Sequence, residues 1–293
     1  MRFSFRSCFL LAVAVFGVSA PAQPKAPLYN TAKQKLLEGK QVFSFTQSKF
    51  DIAGYCEKAK HYDYTWFEMQ HSTLEFRDVE AMIAACPQAG AIPMIRLADA
   101  QEFHIQHATD IGALGVIIPT VDDVERARDA AKWSRYPPVA RRSSGGGQAR
   151  TIWGVNGVNY AKTFNDNMLV VVMIESPTGV ANASEIARVD GVDVVLIGNN
   201  DLSVFSGFAQ DDDRYQALVK TIHDETRKAG KIFGQANANY HKGHPLSSTS
   251  FFFQNGPSKD GWVPPSAGRG NVNAPPPGEE ETPNPKIAPK PKK

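Results

Sequence analysis

Short apolar runs rich in β-branched residues alternate with longer amphipathic stretches through most of the chain. The strand-like runs fall at residues 41–46, 64–68, 91–96, 115–118, 168–174, 193–197, 231–235 and 250–253. Between most of them the apolar positions recur with helical spacing, as in 74–86, 121–133 and 212–229. The last of these begins in an Asp cluster suited to an N-cap, and Asp211 to Asp213 read better as that cap than as a calcium loop. Several runs, notably Val170-Val-Val-Met-Ile, are apolar at every position rather than at alternate ones, the pattern of a strand buried on both faces.

Eight such strands joined by helical crossovers predict an α/β fold, a (β/α)8 TIM barrel, without a regular final helix after Phe253. A doubly wound open sheet would show the same alternation. Two stretches fall outside the pattern. A Gly-rich insertion from Arg141 to Gly157 lacks the Gly-Lys-Ser/Thr ending of a nucleotide-binding loop and reads as a mobile lid or subunit contact. From Val263 onward Pro, Gly, Asn and charge replace apolar periodicity, which predicts a disordered tail.

At the other end, Arg2 and Arg6 precede the apolar run Cys8 to Val18, and Ala20-Pro21-Ala22 offers small cleavage-site residues. The expected organisation is a signal peptide over 1–22, a barrel over 23–262 and a tail over 263–293, in a secreted or periplasmic protein with no membrane attachment after cleavage. Two cysteines then remain, Cys56 and Cys86, on consecutive predicted helices. A bridge between them is feasible in an oxidising compartment, but a core of this size needs no staple, so two buried free thiols are expected. A net charge of +2 with scattered basic residues gives no footprint for nucleic acid.

The candidate chemistry lies where strands end. Val170-Val-Val-Met-Ile-Glu175 and Asp193-Val-Val-Leu-Ile-Gly-Asn-Asn-Asp201 each deliver a carboxylate at a C-terminal strand end, 26 residues apart, the length of one βαβ unit. Two carboxylates side by side on that rim suit a hard cation. Arg96 closes the third predicted strand, where a buried guanidinium needs either an anionic ligand or a structural acid. His71 follows the second strand, with Glu68 three residues earlier as a carboxylate able to orient it. His104 and His107 sit on an outer helix and read as a solvated face, and Asn182-Ala-Ser184 as a chance glycosylation match.

In order and spacing, Phe67-Glu-Met-Gln-His71, Pro93-Met-Ile-Arg96, Gly112-Ala-Leu-Gly-Val-Ile-Ile-Pro119, Arg135-Tyr-Pro-Pro138, Met173-Ile-Glu175 and Ile197-Gly-Asn-Asn-Asp-Leu-Ser203 resemble one family over 33–262. These are the metal-dependent class II pyruvate aldolases of the HpcH/HpaI aldolase and citrate lyase family, of the kind that cleaves 4-hydroxy-2-oxo acids. The resemblance implies Glu175 and Asp201 as ligands of a divalent cation, Mg2+ or Mn2+ with Co2+ as a further candidate. It implies Arg96 facing the keto or enolate oxygen, His71 as a proton-transfer residue paired with Glu68, and Gly198, Asn199 and Asn200 beside the substrate carboxylate. The chain departs from relatives in carrying Glu68 where Asp is frequent, and Met173 where some have Gln.

The resemblance predicts a carbon–carbon lyase releasing pyruvate and an aldehyde, acting on a small 2-oxo acid, with a homo-oligomer left open. Two alternatives accompany it: a coenzyme-A-ester lyase of the same superfamily, and a non-catalytic exported barrel that binds a 2-oxo acid.

Overall fold

The computed structural model describes residues 28–154, 157–237 and 246–264. The expected signal peptide and residues 265–293 of the expected tail lie outside the described residues. Eight parallel strands close into a barrel in simple sequence order: β1 (Val42–Gln47), β2 (Tyr64–Glu68), β3 (Ile92–Arg96), β4 (Gly115–Ile118), β5 (Leu169–Ile174), β6 (Val194–Ile197), β7 (Ile232–Asn237) and β8 (Phe252–Asn255). The pairing of β8 with β1 removes the edges an open sheet would leave. The chain is thus a (β/α)8 barrel, each expected strand being present within a residue or two at its ends.

The helices are α1 (Thr31–Leu37), α2 (Ile52–Lys58), α3 (Phe76–Ala85), α4 (Glu102–Asp110), α5 (Val124–Ser134), α6 (Gly147–Ile152), α7 (Gly157–Asn167), α8 (Pro177–Ala181), α9 (Ala183–Ala187), α10 (Asn199–Ser206) and α11 (Asp213–Lys228). Local chemistry sets where they start. Asp51, Asp123 and Ser176 each accept the backbone N–H three residues on, and Pro177 occupies the first position of α8. Asp212 caps α11, as its acidic cluster predicts. Among the described residues no helix follows β8.

Two apolar layers hold the barrel. Inside it, Tyr64 stacks on Phe252 with ring centroids 4.5 Å apart, and Met94 fills the space that Gly115 vacates: a Cβ at Gly115 would lie 2.3 Å from the Met94 methyl. Outside it, residues such as Tyr55 and Phe67, with rings 5.1 Å apart, join helix to sheet. The runs that are apolar at every position therefore serve both layers at once, and β5 is buried throughout.

Two expectations are corrected. Cys56 and Cys86 are not free thiols but form a disulfide, with Cα atoms 5.7 Å apart. Because β1, β2 and β3 are consecutive neighbours, α2 and α3 pack side by side, and this brings Cys56 on α2 and Cys86 just past α3 within bridging distance. The described residues 141–154 of the Gly-rich insertion form no lid over the strand C-termini. Arg142 is buried between the rings of Tyr136 and Phe164, 4.4 Å from each centroid, and pairs with Asp110 at 2.5 Å. Gln148 donates to the carbonyls of Glu80 and Ile111, and Trp153 to that of Gly112. Since Asp110 to Gly112 lead into the start of β4, the described part of the insertion packs against the opposite end of the barrel.

The disulfide generates a prediction. Its cysteines are 30 residues apart in sequence, and closing a loop of that size in the unfolded chain is worth about 3 to 4 kcal/mol. Urea unfolding of Cys56→Ser/Cys86→Ser should show that loss relative to the oxidised chain, and a reducing agent should reproduce it in the wild type without affecting the variant.

Candidate active site at the barrel rim

Register brings the rim residues together. Glu68 and Arg96 are direct cross-strand partners on β2 and β3. One step beyond the Ile174–Ile197 pair of β5 and β6, Glu175 faces Gly198, whose N–H donates to the Ile174 carbonyl at 3.2 Å. The approach there is so close that a Cβ on Gly198 would stand 1.9 Å from Glu175 Oε2. Glycine at this position is a steric requirement of the carboxylate beside it. Asp201 lies in the first turn of α10, which Gly198 caps.

Glu175 is fully buried. Its Oε1 accepts two hydrogen bonds from one residue, the Thr120 N–H at 2.5 Å and the Thr120 hydroxyl at 3.1 Å. Its Oε2 accepts none from any described residue, and the nearest cation is Arg96 Nη2 at 3.9 Å. Burial pushes the Glu175 carboxyl above its ordinary range. The Thr120 amide and Arg96 oppose that shift, while the negative charge of Asp201 adds to it. A buried acid with an orphaned oxygen, near enough to Asp201 to feel its charge, fits a hard cation with positions left open for ligands. Among the described residues no group of three or more His, Cys, Asp or Glu is placed to hold a metal ion.

Arg96 spans two acids. Its Nη1 lies 3.2 Å from Glu68 Oε2, its Nη2 faces Glu175, and its Nε has no partner among the described residues. Glu68 is in turn held by the Trp66 indole N–H at 3.0 Å and, through Oε1, by the N–H groups of Gln70 and His71 at 2.9 and 3.1 Å. The expected side-chain pairing of Glu68 with the His71 ring therefore does not occur: Glu68 meets His71 at its backbone and gives its other oxygen to Arg96. The ring of His71 stands exposed at the rim, with no hydrogen bond to a described residue. His104 bonds Asp99 and His107 the Phe103 carbonyl.

The remaining expected residues lie on β5 or at the start of α10. Tyr215 donates to the Asn199 carbonyl and side chain, and Gln210 to Asn200 Oδ1 at 3.1 Å, which fixes the first turn of α10. Met173 is buried within β5, its carbonyl accepting from Val121 N–H at 2.9 Å. Sequence reasoning missed Thr120 and Trp66. Thr120 stands one residue past the Gly112 to Pro119 segment, at the end of the fourth strand, where no rim group had been assigned. Trp66 sits two residues before Glu68 on the same face of β2, the side-chain period of a strand.

Comparisons with known proteins identify the family and the fold. Residues 47–240 match the family described as HpcH/HpaI aldolase/citrate lyase. A 2-keto-3-deoxy-L-rhamnonate aldolase of Klebsiella pneumoniae is 31% identical over 213 residues, covering 71% of this chain and 79% of that protein. The crystal structure of an HpcH/HpaI aldolase from Desulfitobacterium hafniense superposes with a TM-score of 0.69 at 25% identity, over 76% of this chain and 89% of the other. An HpcH/HpaI aldolase/citrate lyase family protein from Burkholderia cenocepacia, at 22% identity and TM-score 0.69 over 77% and 92% of the two chains, shares the fold. The chain belongs to the HpcH/HpaI aldolase/citrate lyase family and is a lyase of the aldolase kind.

Proposed function

We propose that this rim cleaves a 4-hydroxy-2-oxo acid between C3 and C4, reversibly, to pyruvate and an aldehyde. The observation that carries the reading is the meeting of Arg96 with the unpartnered, buried oxygen of Glu175 beside Asp201. Glu175 and Asp201 would hold a Mg2+ or Mn2+ ion, with Co2+ as a further candidate, and the bound ion would supply Lewis acidity toward the 2-oxo group. The similarity to 2-keto-3-deoxy-L-rhamnonate aldolases supports the substrate class, since a 2-keto-3-deoxy acid with a 4-hydroxyl has this skeleton.

The chain's own residues divide the remaining work. Arg96, immobilised by Glu68, is poised to take the negative charge that gathers on the keto oxygen as the bond breaks, and its Nε, without a partner among the described residues, is free to donate. The backbone N–H groups of Asn199 and Asn200 open an eight-residue helix, a favourable place for the substrate carboxylate. His71, solvent-facing and held by its backbone to Glu68, would move the 4-hydroxyl proton. Met173 would give the acceptor side an apolar wall.

The disulfide, together with the N-terminal signal pattern, supports a secreted or periplasmic location. Exposed apolar side chains, Phe50 just before α2 and Val204 and Phe205 in the last turn of α10, support a homo-oligomer that covers them.

Three outcomes test the reading. Pyruvate methyl protons should exchange with D2O in the presence of Mn2+ and cease to do so with excess chelator or in Glu175→Gln and Asp201→Asn; exchange that persists in the chelated protein would defeat the proposal. Arg96→Lys keeps a charge but loses the fork and should lower kcat about a hundred- to a thousandfold in a coupled pyruvate assay. Gly198→Ala should fold, judged by circular dichroism, yet lose Mn2+-dependent exchange because its new methyl occupies the space of Glu175 Oε2.

A further inference from the structure

Thr120 is the residue on which the geometry of Glu175 turns. Its φ is +49°, in the left-handed region, where a β-branched side chain is disfavoured by about 1 to 2 kcal/mol. Such conformations persist where the surroundings over-determine them and cluster at functional sites. Here both flanks are fixed: Pro119 has a restricted φ and no N–H, and Val121 donates to the Met173 carbonyl at 2.9 Å. The unusual backbone turns the N–H and the hydroxyl of one residue toward one oxygen of Glu175. A backbone turn alone could have supplied the first of these bonds with glycine; the second needs a hydroxyl.

We infer that Thr120 is a positioning residue for Glu175: by holding Oε1 with two donors, it stops the carboxylate from rotating and presents Oε2 alone toward Asp201 and Arg96. This rests on the reading of Glu175 and Asp201 as the cation site. A carboxylate with two equivalent free oxygens could bind an ion through either or both, whereas one with Oε1 saturated offers a single lone oxygen. The clamp also leaves the second oxygen unsatisfied in a buried place, a cost that ligand binding would relieve. The side chain, rather than the backbone alone, sets this arrangement.

The test is calorimetric titration of Mn2+ into the oxidised full-length chain, with circular dichroism and a thermal melt on each variant. Thr120→Val keeps size and branching but lacks the hydroxyl, and should bind Mn2+ about ten- to a hundredfold more weakly, the usual effect of removing a group that orients a ligand. Thr120→Ser restores the hydroxyl and should bind within about threefold of wild type, allowing for the scatter of single-contact effects. Thr120→Gly relaxes the backbone and should melt no lower than Thr120→Val while binding as weakly. Wild-type affinity in Thr120→Val, or equal weakness in Thr120→Val and Thr120→Ser, overturns the inference while Glu175→Gln still abolishes binding. If Glu175→Gln binds Mn2+ as wild type does, the cation-site reading fails and this inference falls with it.

Discussion

A carboxylate shut away from water has to be satisfied by the protein or by what the protein binds, and Glu175 is satisfied on one side only. Much of the rim follows from that asymmetry. The fourth strand must end in a left-handed residue able to reach Oε1, the sixth must carry glycine where it passes Oε2, and the third must end in a guanidinium able to share the charge. Each of these would be a liability in an ordinary core: a strained backbone, a missing side chain, a buried cation. Together they hold an acid in a place that disfavours its charge, with one oxygen unspent.

The choice of partner by Glu68 matters for how a proton would travel. An acid pressed against His71 would hold that ring in one tautomer. Here Glu68 is instead part of a chain that runs from the Trp66 indole through its carboxylate to Arg96, and His71 is tethered by its main chain. The extra methylene relative to aspartate lets the carboxylate lie along the strand and across to β3. The rigid element of this site is therefore the guanidinium, and the imidazole is the adaptable one.

The fold was largely legible because barrel strands buried on both faces announce themselves as unbroken apolar runs. Glu175 and Asp201 could be picked out as candidates because the first directly follows such a run and the second lies four residues beyond one. What escaped depended on relations across the fold. Nothing local to Cys56 or Cys86 reveals that α2 and α3 lie side by side with the cysteines in reach of each other. The glycines of the insertion suggest freedom, yet Arg142 is locked between the rings of Tyr136 and Phe164 and paired with Asp110, 32 residues before it. Nothing in the sequence marks Thr120, since a positive φ in a threonine has no composition signal. Glu68 next to His71 in sequence invited a pairing that the β2–β3 register gives to Arg96.

The bond between Cys56 and Cys86 encircles the whole of the second stave, including Glu68 and the turn that bears His71. Sulfur chemistry at the foot of the barrel is thereby linked to the stiffness of its mouth. Wherever the bridge stays oxidised, the two ends of this stave are tied together, so the anchor of Arg96 is reinforced from the far end; where it is reduced, the same anchor relies on packing and on the hydrogen bonds that hold Glu68.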